Sequence, residues 1–269
     1  MSETAARQAR FLEEFDLRGM AIERGRLPSD LVEAAREWHS RFYPTASLEI
    51  PCIEEPILVM WRHRLGGAKR YVRLYDAPAI WKIASHPAIL DPIKALCGGE
   101  VRLLESVIFD KPPGEGGALA WHQDNSFYPL SGGRQVSALV ALDPMSSANG
   151  APSYAVASHL GPVSGAVDLH TGNRLDGDQR DVPVDPVTLG YTVVTPDMAL
   201  GDVIFFDAKT WHGSGANDSR SDQRRLVSLR YISLDTVHDP IPGNSATFVQ
   251  QITSPVGQPL EGGAFPIMD

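Results

Sequence analysis

His122 and Asp124 are separated by one residue, in Trp121-His122-Gln123-Asp124. On an extended chain alternate side chains point the same way, so this spacing puts an imidazole and a carboxylate on one side. A second histidine, His212, follows about 90 positions on, in Trp211-His212-Gly213-Ser214-Gly215, shortly after the apolar run Val203-Ile204-Phe205-Phe206. Arg224 and Arg225 then open the run Leu226-Val227-Ser228-Leu229-Arg230-Tyr231. Each feature alone has a bland explanation: a surface pair at a turn, a core histidine at a strand end, solvated arginines at a strand start. Together they have a specific chemical meaning. Two imidazoles and one carboxylate on one face of an octahedral ion leave three positions open, the donor set of non-haem Fe(II) sites that activate oxygen. A co-substrate carboxylate held deep in the protein needs a fixed cationic fork, which arginine supplies bidentately and lysine does not.

The elements that must position these residues are mostly short strands. Residues 101–109 read as a buried strand stopped by Lys111-Pro112-Pro113-Gly114. Further short apolar segments at 136–142, 151–157, 191–195, 202–207 and 226–234 are bounded by turn residues, the spacing of a sandwich or barrel. Helices come first. Leu31, Ala34, Ala35, Trp38 and Phe42 lie on one helical face, with Ser29 as cap and Asp30 in the first turn. A second helical region runs over 79–96, broken near Pro87 and ending at Gly98-Gly99. Asn149-Gly150 reads as a hairpin turn. Residues 160–190 are polar and rich in Gly, Asp and Pro, and read as an insertion over the mouth of the barrel.

Composition narrows the function classes. The chain has 269 residues, 43% hydrophobic and 21% charged, enough apolar material for a sizeable core. The 24 glycines and 21 prolines favour a turn-rich β architecture over a helical bundle. A net charge of −9 argues against nucleic acid as partner. Two cysteines, Cys52 and Cys97, make no disulfide framework and read as reduced thiols. The polar start, Met1 to Glu14, carries no secretory signal, and no run approaches the roughly 18 apolar residues of a membrane span. A cytoplasmic protein is the expectation.

Several blocks are similar to the phytanoyl-CoA dioxygenase family, a branch of the Fe(II)/2-oxoglutarate-dependent oxygenases. They are Phe109-Asp110-Lys111-Pro112-Pro113-Gly114, then Trp121-His122-Gln123-Asp124 with Tyr128-Pro129. Ala141-Leu142-Asp143, Asn149-Gly150-Ala151 and Ser158-His159 follow, and last His212-Gly213-Ser214-Gly215-Ala216-Asn217 and Arg224-Arg225. The likeness runs from about Arg70 to about Arg230. It implies one mainly β domain with flanking helices, a double-stranded β-helix (jelly roll, cupin-like). Within 1–269 the expected layout is a mostly helical part at 1–100, the jelly-roll core at 101–235 with the 160–190 insertion as a lid, and a C-terminal tail at 236–269. The resemblance implies that His122, Asp124 and His212 bind iron and that Arg224 pairs with the distal carboxylate of 2-oxoglutarate. Many members carry that arginine eleven residues after the histidine. Here Arg224 stands twelve residues on, so Arg225 competes for the role, and strand phase favours Arg224, which shares a face with Leu226, Ser228 and Arg230. Ser214 matches a position whose hydroxyl approaches 2-oxoglutarate, and Arg73 falls near a basic position that touches it. Phe127, Tyr128 and Trp211 flank the ligands, as pocket lining or as core.

The implied reaction uses O2 to oxidise an unactivated C–H bond of a small molecule, releasing succinate and CO2. Hydroxylation leads; desaturation and ring formation need the same residues. Halogenation is set against by Asp124, since halogenases lack that carboxylate. A non-catalytic cupin-like binding protein is the reading from another class, and would not need the co-substrate arginine. The acidic balance disfavours a polyanionic CoA ester as substrate.

Overall fold

The computed structural model describes residues 3–42, 63–65, 68–72, 77–114, 116–175, 185–240, 252–262 and 264–269. The chain opens with helix α1 (Glu3–Arg18), strand β1 (Met20–Glu23) and helix α2 (Ser29–Phe42). Strands β2 (His63–Leu65) and β3 (Ala68–Val72) precede helices α3 (Pro78–Ala84) and α4 (Pro87–Cys97). Prolines sit in the first turns of α3 and α4, where the missing N–H costs nothing. His86 Nδ1 caps α4 by accepting from Ala88 N at 3.1 Å, and Gly98 closes it in the left-handed conformation.

The core follows. Its strands are β4 (Val101–Lys111), β5 (Leu119–His122), β6 (Leu130–Ser131), β7 (Gln135–Ala141) and β8 (Pro152–Ala155). Then come β9 (Val193–Val194), β10 (Val203–Asp207), β11 (His212–Ser214) and β12 (Arg224–Ser233). Strands β13 (Val237–His238) and β14 (Ile267–Met268) complete the set. An eight-stranded sheet has the order β1-β10-β7-β12-β4-β3-β2, with β14 also on β4. A four-stranded sheet has the order β5-β11-β8-β9. The pairings are antiparallel, and the architecture is a jelly roll.

Strand alternation divides the large sheet into two faces. Ile108, Val136, Ala138, Val140, Phe205, Val227 and Leu229 meet Phe11 and Phe15 of α1, Val32 of α2 and the apolar residues of α3 and α4. The opposite face carries Val107, Phe109, Leu139, Ala141, Phe206 and Leu226, which pack against Tyr154 and Ala151 between the sheets. Burying both faces explains why β7 and β12 read as continuous runs and not as alternating ones.

The described residues among the first hundred are mostly helical, and they also give β1, β2 and β3 to the large sheet. β1 has only four residues, too few for a period-two signal, and Gly19 at φ +76° turns the chain from α1 straight into it. The segment 236–269, read as a tail, pairs β13 with β6 and β14 with β4, and buries Leu260, Phe265 and Met268. Asn149-Gly150 is not a hairpin turn. Ser146 N donates to Asn149 Oδ1 at 2.8 Å, so the pair closes a single 3-10 turn instead. Gly150, at φ +79°, lies against Gly215 O, which a Cβ would approach to 2.8 Å.

Candidate active site

The small sheet aligns three rings in one row. His122 of β5 stands opposite His212 of β11, and His212 stands opposite Tyr154 of β8. Direct cross-strand neighbours share a face, so all three point between the sheets. The imidazole centroids are 4.1 Å apart. His122 Nδ1 lies 2.7 Å from Ala120 O, and His212 Nδ1 lies 2.9 Å from Thr210 O. With those N–H groups donating to carbonyls, each ring keeps Nε2 as a free lone pair. β5 ends at His122, and Asp124 begins a 3-10 turn over Asp124–Phe127. Its Oδ1 lies 3.8 Å from His122 Nε2 and 3.7 Å from His212 Nε2. The donor atoms of the three residues lie within 4.8 Å of one another, and all three residues are buried.

The large sheet faces this group with a row of its own. Ser137 of β7, Arg230 of β12 and Glu105 of β4 are consecutive across the sheet. Arg230 Nε donates to Asp124 Oδ2 at 2.9 Å and its Nη2 to Oδ1 at 3.1 Å. Ser137 Oγ adds a bond to Oδ2 at 3.1 Å. Behind, Arg230 Nη1 reaches Glu105 Oε2 at 3.1 Å, and the Tyr128 hydroxyl donates to the same oxygen at 2.6 Å. Burial alone would raise the Asp124 pKa, but Arg230 and the two imidazoles outweigh it and hold the carboxyl ionised well below its usual range. Burial, reinforced by His212, pushes His122 down to about 3, and burial also lowers His212. The group therefore offers two neutral imidazoles and one carboxylate at neutral pH, the protonation states a divalent metal needs.

The other end of the interior is cationic. Arg224 and Lys111 are direct neighbours across β12 and β4 and point between the sheets. Arg224 is 1% exposed and Lys111 0%. Lys111 Nζ donates to Ser214 Oγ at 2.8 Å and to Gly215 O. Among the described residues Arg224 has no hydrogen-bond or ion-pair partner, and its Nε is buried and orphaned. Burial and the adjacent Arg224 lower Lys111 to about 6, and burial lowers Arg224 to about 10. A buried arginine beside a buried lysine whose proton it helps to expel is an arrangement that can take up an anion.

Arg225 points the other way. Its Nε and Nη2 grip Asp143 Oδ2 and Oδ1 at 2.7 and 2.8 Å, and its backbone N donates to the same carboxylate at 2.9 Å. Strand alternation thus places Arg224 inside and commits Arg225 to Asp143. Ser214 lies at the cationic end, hydrogen-bonded to Lys111, whereas Arg73 lies outside the described residues. Cys97 is a free thiol that burial raises to about 12, and Cys52 lies outside the described residues. Of the aromatic flanks, Phe127 presents an edge to His122 at 5.7 Å, Tyr128 belongs to the Glu105–Arg230 network, and Trp211 is buried. Lys111, Arg230, Glu105 and Tyr154 had no role in the sequence reading. Counting by twos from His212 and Arg224 along paired strands would have reached them.

The chain belongs to the phytanoyl-CoA dioxygenase family, whose model, described as phytanoyl-CoA dioxygenase (PhyH), matches residues 15–226. It is 32% identical over 160 residues to a probable alpha-ketoglutarate-dependent hypophosphite dioxygenase of Stutzerimonas stutzeri, covering 58% of this chain and 54% of that protein. It is 27% identical over 176 residues to the ectoine dioxygenase of Bordetella parapertussis, covering 61% and 56%. The chain thus spans about half the length of the curated relatives it matches. Among solved structures it resembles SnoN, a non-heme alpha ketoglutarate dependent epimerase from nogalamycin biosynthesis, with TM-score 0.75 and 22% identity over 98% of this chain and 99% of that one. The carbocyclase SnoK from the same biosynthesis gives 0.73 and 22%, over 100% and 97%. Among the described residues no helix is long and apolar enough to cross a membrane.

The two arginines should separate in a thermal melt of the metal-free protein. Arg225→Ala removes the bidentate partner of buried Asp143 and leaves it Arg36, 3.2 Å away, which is expected to cost about 2 kcal/mol and lower Tm by roughly 4–8 °C. Arg224→Met removes an orphaned buried cation and leaves Tm unchanged or higher. A larger loss of Tm from Arg224→Met than from Arg225→Ala would reverse the assignment.

Proposed function

We propose that this chain is an Fe(II)- and 2-oxoglutarate-dependent oxygenase that oxidises a C–H bond of a small-molecule substrate in the cytoplasm, hydroxylation being the leading outcome. One observation carries the reading: a buried two-histidine, one-carboxylate group and a buried arginine with no partner among the described residues occupy opposite ends of the same interior. A metal-binding or sensing protein would need the first and not the second. The names of two relatives, a probable alpha-ketoglutarate-dependent hypophosphite dioxygenase and an ectoine dioxygenase, support it.

His122 Nε2, His212 Nε2 and Asp124 Oδ1 would hold the ion. Bound Fe(II) with 2-oxoglutarate supplies the activation of O2. The rest is positioning. Arg230 and Ser137 fix the Asp124 carboxylate, so that both oxygens are held before an ion arrives. Arg224 and Lys111 would neutralise the distal carboxylate of 2-oxoglutarate, with Ser214 orienting the ammonium. The aliphatic and aromatic residues between the two ends keep water away from the reacting atoms. Asp124 argues against halogenation here, because its carboxylate fills the position a halide would take. Structural neighbours that carry out epimerisation and ring closure support leaving the outcome to substrate placement.

We read 160–190 as a lid. Its described first arm hangs on the ligand strand: Gln123 Oε1 accepts from Ser164 N at 2.7 Å, Gln123 Nε2 donates to Pro162 O at 3.3 Å, and Ala120 N donates to Leu169 O at 2.9 Å. Leu160, Val163, Leu175, Val187 and Leu189 of the segment are exposed, a poor resting state and a usable substrate surface.

Three measurements test this reading. Purified protein with Fe(II), 2-oxoglutarate and O2 should release succinate, and His212→Ala or Asp124→Ala should abolish the release; wild-type turnover in either variant rejects the site. Calorimetric titration with 2-oxoglutarate at pH 8 should show uptake of close to one proton, read from the dependence of heat on buffer ionisation enthalpy. Lys111, held near 6 in the free protein, is neutral there, and an anion restores its ammonium form. The same depression works on folding: between about 6 and its ordinary 10.5 the unfolded chain binds a proton that the folded chain does not, so the free protein gains stability as pH rises. Lys111→Met should abolish the proton uptake. Limited proteolysis should cut within 160–190, and metal plus 2-oxoglutarate should slow the cutting; a segment that resists protease in the free protein is no lid.

A further inference from the structure

Tyr154 presents a second orphan at this site. The residue is 0% exposed, and among the described residues its hydroxyl has no hydrogen-bond partner. Its ring is well placed: it stacks on His212 with centroids 6.1 Å apart at 20° and meets Phe206 at 5.3 Å. A phenylalanine would make the same ring contacts and strand nothing. A hydroxyl retained in a dry interior without a partner therefore points to a ligand that supplies the acceptor. Its place limits what that ligand is. Asp124 and Arg224 both act on the phenol electrostatically, the first opposing its ionisation and the second favouring it. Tyr154 also stands in the row of the metal-ligating histidines, on the face that meets Arg224 and Lys111. After burial, which dominates, these influences leave the phenol protonated at any working pH, so it acts as a donor.

We propose that the Tyr154 hydroxyl donates a hydrogen bond to a carboxylate of 2-oxoglutarate, adding a neutral donor to the two cationic ones of Arg224 and Lys111. The assignment rests on the 2-oxoglutarate reading above. It makes Tyr154 a co-substrate-binding residue with no part in metal ligation.

The test compares wild type with Tyr154→Phe in three measurements: Tm of the metal-free protein, Mn(II) affinity without co-substrate, and the Kd for 2-oxoglutarate of the Mn(II)-loaded protein, which does not turn over. The variant should melt at the same temperature or higher, because an unsatisfied buried hydroxyl has gone. Mn(II) affinity should stay the same. The Kd for 2-oxoglutarate should rise roughly 10- to 100-fold, the effect of one hydrogen bond to a charged acceptor. A lower Tm in the variant would mean that the hydroxyl serves the fold, and would overturn the proposal. Equal Kd values in two proteins that both bind 2-oxoglutarate would overturn it while leaving the co-substrate reading intact. A wild-type protein that fails to bind 2-oxoglutarate would overturn both.

Discussion

The two-residue period of β12 is the constraint on which the rest depends. This strand lies between β7 and β4 and is buried along its length. Its inward residues are Arg224, Leu226, Ser228 and Arg230; Arg225, Val227, Leu229 and Tyr231 face the helices. One strand thus places a buried arginine at one end and the partner of the Asp124 carboxylate at the other. A slip of one residue would exchange the two sets. Arg225 would then enter the interior and Asp143 would lose its bidentate partner. The Arg225–Asp143 pair, closed by three hydrogen bonds, pins the register from the outer face.

Electrostatics explains why the interior is arranged as two ends. At the metal end the charges are already matched: Asp124 is gripped by Arg230, which is itself held by Glu105. Such a buried network adds little net stability, since desolvation offsets much of the attraction, but it fixes geometry. The carboxylate cannot swing away when no ion is present. At the far end, among the described residues, no carboxylate pairs with Arg224 or Lys111, and Lys111 bonds only to Ser214 and Gly215. Arg224 is orphaned, and Lys111 sheds its proton to escape the same predicament. The free protein therefore carries its strain where the co-substrate would relieve it. Binding energy there would be spent on neutralising charge, and the metal ligands need not move.

What was legible in the sequence follows from how local each signal is. The His122–Asp124 pair was legible because two residues on one strand end share a side whatever the fold. That Arg224 and not Arg225 points between the sheets follows from strand phase once the run from Leu226 is read as a strand. Lys111, Glu105 and Tyr154 were hidden because their roles depend on register between strands far apart in sequence. Lys111 meets Arg224 across more than a hundred residues, and its neighbours Pro112 and Pro113 suggest only a strand stop. β1 escaped notice for a different reason. Four residues at the edge of a sheet carry too little pattern, and its place there is decided by Phe205 and Phe206 of β10 across from it.

The buried machinery also limits what can determine the substrate. His122, His212 and Asp124 have their remaining polar atoms tied to carbonyls, Ser137 or Arg230, and the cationic end faces away from the ligand turn. None of these groups is free to read a substrate. On the proposed reading, recognition would fall to what surrounds the ligand group: Phe127 beside His122, and the 160–175 arm that Gln123 fastens next to it. Gln123 lies between two metal ligands in sequence but spends both ends of its amide on Pro162, Ser164 and Lys209. It couples the irregular 160–175 arm to the turn that carries His122 and Asp124. If the 160–175 arm lines the substrate, its fastening through the backbone of Pro162, Ser164 and Leu169 would let its side chains vary without disturbing the His122–Asp124 turn.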